Sequence, residues 1–169
     1  MSYPASANFR RLGLLALTAA AFFLLAAAGA SAEQPKDMGG WEIGSPYNQH
    51  YDPKELDYFR ANIVDVMELV PMEGMSPAVA LKVQESPDDE PIVVHLCPVW
   101  FAEPGSIGLK KGDRVKIKGV WTEIDGKDVF MASKVKKGDY FQFKVRLTKD
   151  GTPFWTMTPE MLAKEMASD

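Results

Sequence analysis

The chain has 169 residues and a formal net charge of −4, with 19 Lys and Arg against 23 Asp and Glu. That balance excludes adhesion to nucleic acid through bulk charge, and the length suits one domain once a targeting segment is set aside. A single cysteine, Cys97, excludes an internal disulfide, so the fold must rest on its hydrophobic core.

Residues 1–32 read as a signal peptide. Arg10 and Arg11 supply a positive n-region, Leu12–Gly29 is an apolar run, and Ala30-Ser31-Ala32 is a small-residue cleavage site. The mature chain is expected to start at Glu33, to be periplasmic or secreted, and to keep no membrane span after cleavage. The alternative is an uncleaved anchor, since the run is about long enough to cross a bilayer. The mature part holds 17 basic and 23 acidic residues, a net charge of −6. The charge is segregated, with 4 basic and 14 acidic residues in Glu33–Glu103 against 12 basic and 5 acidic in Lys110–Lys149.

Residues 33–57 show no period and read as an extended arm, with Trp41, Tyr47 and Tyr51 available to pin it to a domain. Asp52 followed by Pro53 is a cap and first position for a short helical turn. The barrel domain is assigned to residues 58–157. Phe59–Val70, Ala78–Gln84 and Ile92–Leu96 are predicted strands, separated by turns at Pro71–Pro77 and Glu85–Glu90. Pro98–Leu109 is irregular, with one helical turn expected around Val99–Glu103.

Lys110–Gly138 is the strongest local signal. Val115, Ile117 and Gly119 alternate with Arg114, Lys116 and Lys118, a period of two that puts apolar groups on one face and cations on the other. Asp125-Gly126 is a tight-turn pair, and Val129, Met131, Ser133 and Val135 run back. Tyr140–Leu147 is a sixth strand, and Pro153–Trp155 an edge strand. Residues 158–169 form a C-terminal helix or tail, with Thr158 as N-cap and Pro159 at the first position.

Five or six short strands with a partly helical link between the third and fourth predict an all-β, OB-fold-like Greek-key barrel. The run Gly112-Asp113-Arg114-Val115-Lys116-Ile117-Lys118-Gly119 looks like the fourth-strand signature of OB-folds. With it go Gly39-Gly40-Trp41-Glu42, Ser45-Pro46-Tyr47-Asn48, Gly74-Met75-Ser76-Pro77, Val94-His95-Leu96 and Asp150-Gly151-Thr152-Pro153-Phe154-Trp155. In this ordered set the chain resembles small exported bacterial OB-fold proteins of uncharacterised function, the BOF-like kind. That resemblance leads one to expect Gly immediately before Pro98; this chain has Cys97, so the family assigns the thiol no role.

Two constellations are candidates for function. Arg114, Lys116 and Lys118, with Lys134, Lys136 and Lys137 opposite, form a basic face, with Trp121 and Phe130 beside it. Such a face suits an anionic ligand or a cell-envelope protein; the competing reading is an ordinary solvated strand face whose lysines guard an edge. Export argues against a nucleic-acid ligand. His95 and Cys97, two apart on one strand, are a candidate pair for Cu or Zn, with Met67, Met72 and Met75 near in sequence; the competing reading is a buried thiol in a core. No carboxylate pair, Gly-rich phosphate loop or Ser-His-Asp set is present. The sequence therefore predicts a non-catalytic exported binding module, with a periplasmic metal-binding or redox accessory protein as the alternative.

Overall fold

The computed structural model describes residues 37–168. The expected signal segment and the first residues of the arm lie outside the described residues. Six strands follow in chain order: β1 (Leu56–Leu69), β2 (Ala78–Gln84), β3 (Ile92–Pro98), β4 (Arg114–Ile124), β5 (Lys127–Lys137) and β6 (Phe141–Lys144). The sheet order is β3-β2-β1-β4-β5-β6, and a parallel pairing of β3 with β5 closes the ring. This is the expected OB-fold-like Greek-key barrel.

Closure depends on β1. Its first half pairs with β4 and its second half with β2, with a register shift between Ile63 and Asp65. The irregularity bends the strand, letting one 14-residue segment serve two sides of the ring. The barrel interior is filled by Ile63, Leu81, Val94, Ile117, Phe130 and Val135, all at most 2 % exposed. In the β4–β5 hairpin Ile124 faces Lys127, and Asp125 (φ 51°) and Gly126 (φ 74°) both take the left-handed conformation that a two-residue turn between twisted strands requires.

A second irregularity sits in that hairpin. Lys118 pairs with Lys134 while Gly119 pairs with Ala132, which leaves Ser133 as the extra residue. Ser133 Oγ donates to the Lys118 carbonyl (3.1 Å), and its own carbonyl accepts from the N–H groups of both Val145 and Arg146. This double acceptance ends β6 at Lys144, short of the expected Leu147, because regular pairing cannot continue past one shared carbonyl.

The remaining departures lie outside the barrel. The arm does not stay extended: Ser45 caps a four-residue helix, α1 (Pro46–Gln49), and Asp52 caps the expected turn at Pro53–Glu55. Pro153–Trp155 is not a strand. Only Pro153 bridges to Arg146, and Phe154–Thr156 forms a 3-10 turn instead. Between β3 and β4 the chain makes a hydrogen-bonded turn over Pro98–Ala102 and a 3-10 turn at Pro104–Ser106. The C-terminal helix α2 (Pro159–Ala167) starts as expected, with Thr158 Oγ1 accepting from the Met161 N–H. Among the described residues no helix is long and apolar enough to cross a membrane.

Candidate functional site

The alternation read in β4 holds in the folded protein. Val115 and Ile117 are buried, while Arg114 is exposed and Lys116 and Lys118 are half-buried on the other side. Pairing extends the cations across four strands. Arg60 of β1 lies opposite Lys116, which lies opposite Lys136 of β5; Lys118 lies opposite Lys134, which lies opposite Lys144 of β6. Like charges stand directly across from one another, an arrangement that costs stability by itself. Among the described residues, Arg114, Lys116, Lys118 and Lys136 make no ion pair within 4.0 Å. Arg114 instead donates to the Glu85 carbonyl at 3.2 Å.

Three sequence-predicted members leave this face. Lys137 is held by Asp113 (3.1 Å) and the Gly108 carbonyl (2.8 Å), which removes it from the outward cluster. Trp121 is 43 % exposed, but its ring stacks on Phe59 (5.8 Å) and meets Phe130 edge-on (5.1 Å), beside Lys54–Asp57 at one end of the barrel. Phe130 itself is fully buried. The aromatic group that does stand among the cations is Tyr58, 59 % exposed, with Lys116 Nζ 3.9 Å from its ring centre. Tyr58 and Arg60 went unread because β1 shows no clean alternation; their place follows from register with β4.

His95 and Cys97 lie inside. The Tyr47 hydroxyl oxygen is 3.3 Å from His95 Nδ1, and the two rings stack at 6.0 Å. Burial pushes the His95 imidazole down to about 4 and the Cys97 thiol up to about 12, the nearby Arg146 guanidinium only partly offsetting the latter. At neutral pH the pair is an uncharged imidazole and a protonated thiol. A thiol must ionise to bind a metal. Among the described residues no group of three His, Cys, Asp or Glu is placed to hold one. Met72 and Met75, in the β1–β2 turn, pack against the core, and Met67 is half-buried on β1.

Beside this pair sits a residue the sequence reading passed over. Arg146 is 3 % exposed. Its Nη2 donates to Asn48 Oδ1 (2.7 Å) and its Nη1 to the Gly151 carbonyl (3.3 Å), and the guanidinium lies over the rings of Tyr51 and Trp155. Asn48 in turn donates to the carbonyls of Trp41 and Glu42, and Trp155 Nε1 donates to the Trp41 carbonyl. This network fastens the arm to the barrel end. Burial lowers the Arg146 pKa, with Tyr47 and Tyr51 opposing the shift.

Fold and surface thus define a small Greek-key barrel with a cation-bearing outer face. Over residues 55–141 the chain matches the MamS/MamX magnetosome protein family, and it belongs to that family. The matched segment holds β1–β5 with His95, Cys97, Arg114, Lys116, Lys118, Lys134 and Lys136, and it ends before Lys144, Arg146 and α2. No curated protein and no solved structure matches the chain.

Proposed function

We propose that the protein is an exported, magnetosome-associated accessory module that binds without catalysing, and that its outer basic face takes an anionic ligand or an acidic protein partner. The likeness to BOF-like exported OB-fold proteins belongs to the same reading. One observation carries it: the direct cross-strand opposition of Arg60 with Lys116 and of Lys116 with Lys136. Each such pair destabilises the sheet by a few tenths of a kcal/mol, roughly 0.2–1 kcal/mol. An anionic partner converts that repulsion into attraction, and a clustered positive field speeds its encounter. Family membership supports the magnetosome setting, and the n-region, apolar run and A-x-A site support export.

The test is retention of the protein on an anionic glycan matrix, compared with the variant R114E/K116E/K118E. Retention of the parent that is lost in the variant is expected. Equal retention of both would remove the face from the mechanism. The metal or redox reading of His95 and Cys97 has the weaker support, since both groups are enclosed and uncharged. Metal analysis decides between the two: a stoichiometric metal that disappears in Cys97→Ser would reverse the ranking.

A further inference from the structure

Trp121 stands apart from the basic face, in a cleft of about 380 Å³ whose other walls are Lys54, Glu55, Leu56 and Asp57. Leu56 pairs with Val120 on the last rung between β1 and β4, so the strands part there and β4 carries Trp121 past the end of the ladder. Phe59 takes one face of the indole, with ring centres 5.8 Å apart and planes at 22°, and Phe130 meets it edge-on at 5.1 Å. These contacts fix the ring while leaving 43 % of the residue exposed. A large aromatic surface already held in one orientation loses little entropy when a ligand settles on it.

The backbone beside the ring is fixed as well. Asp52 Oδ1 accepts from the Lys54 N–H (2.9 Å) and Pro53 takes the first position, so Lys54 and Glu55 ride on a capped 3-10 turn. Leu56 and Asp57 follow on the paired start of β1. Among the described residues, none of Lys54, Glu55 and Asp57 forms an ion pair within 4.0 Å. Asp57 commits one carboxylate oxygen to the Tyr58 N–H (2.7 Å) and leaves the other open. The cleft thus offers an apolar floor, Trp121 with Leu56, and a rim of one ammonium donor and two carboxylate acceptors. All three rim residues are exposed, so the rim packs no part of the core.

We propose that this cleft is a saccharide-binding subsite, in which the C–H face of a neutral pyranose ring lies on the Trp121 indole and its hydroxyls engage Lys54, Glu55 and Asp57. The mixed rim carries the choice of ligand. An anion would meet two carboxylates, and a cation would meet the lysine. A hydroxyl both donates and accepts, so it satisfies either kind of partner. The negative π face of the indole attracts the polarised C–H groups of a sugar ring. An apolar floor with a few convergent polar groups, in a volume of this size, is the usual form of a small-ligand site. The site goes beyond the basic face: it uses none of that face's cations and takes an uncharged ligand.

The test titrates the full chain with two neutral probes, tri-N-acetylchitotriose and maltotriose, by isothermal calorimetry and saturation-transfer NMR. Saturable binding of at least one is expected, unchanged between low and high salt because the ligand carries no charge. Affinity should fall about tenfold in Trp121→Ala, which removes the stacking surface, and about tenfold in E55A/D57A, which removes the charge-assisted acceptors. Trp121→Phe keeps a platform and should recover most of the loss seen in Trp121→Ala. Thermal melts verify folding; if Trp121→Ala unfolds, E55A/D57A decides, since both positions are exposed. Failure of both trisaccharides to bind, or binding insensitive to E55A/D57A, overturns the site. Tetramethylammonium chloride is the third probe: if it binds through Trp121 and neither trisaccharide does, the cleft belongs to a cation and the saccharide reading falls. The variant R114E/K116E/K118E should bind the trisaccharide as the parent does while losing retention on the anionic glycan matrix, so either site fails without the other.

Discussion

Gly119 sits where two backbones nearly touch. A Cβ there would lie 2.1 Å from the Met131 carbonyl oxygen and 2.8 Å from Ala132 Cα, so Gly119→Ala must push β4 away from β5. A destabilisation of about 1–3 kcal/mol, read by denaturant unfolding, is expected from such overpacking. His95 makes a different prediction. Its folded pKa of about 4 lies below the usual 6.5, so the unfolded chain takes up a proton that the folded chain refuses. Stability is therefore full above pH 6.5, declines as pH falls toward 4, and levels off below that, a total loss on the order of 3 kcal/mol. In His95→Gln, unfolding measured between pH 6.5 and 5 should show a flatter slope than the parent; an identical slope would mean that His95 is not the titrating group. The two residues also differ in how readable they were. The place of Gly119 on the apolar side of β4 followed from alternation. No local pattern could say whether His95 faced core or solvent, because its burial comes from Tyr47, 48 positions away.

The elements divide along the same line. The β4–β5 hairpin was legible because turn chemistry and alternation agree within one segment. The arm was half legible: Trp41, Tyr47 and Tyr51 announced an anchoring role, but α1 is too short to leave a period in sequence. The edge strand expected at Pro153–Trp155 failed because Trp155 turns inward to reach the Trp41 carbonyl, and long-range packing overrode a local β preference. Helix α2 was readable from its cap, and that cap carries a test. Thr158→Ala removes the acceptor for the Met161 N–H, worth about 1 kcal/mol. Because α2 contributes no buried residue, the loss should stay local. Hydrogen exchange at residues 161–167 should accelerate while the barrel's melting temperature holds; a matching drop in the barrel melt would show α2 to be integral to the fold.

At the scale of the molecule, the charge segregation seen along the chain becomes a surface. Its formal charge is −4, yet seven cations from four strands share one outward face. Retention on a sulfated matrix should therefore occur at a pH above the sequence pI of about 5.3 and fall steeply with added salt. Loading in 20 mM and then in 300 mM salt checks this, and salt-independent retention would point to a contact other than the cations. Sequence revealed the β4 and β5 contributions, while those of Arg60 and Lys144 needed the register of the closed sheet.

The bond from Trp155 to Trp41 joins residues 114 positions apart, and it also sets an order in time. A chain emerging from its N-terminus carries Trp41 and Tyr47 long before their seat exists. The barrel strands can pair as they appear, but the arm cannot lock until residue 155 has been made. Until then the end of β3 that holds His95 and Cys97 lacks its cover. In a chain that stops short of residue 155, the end of β3 that carries this thiol would lack the Trp155–Trp41 clamp beside it.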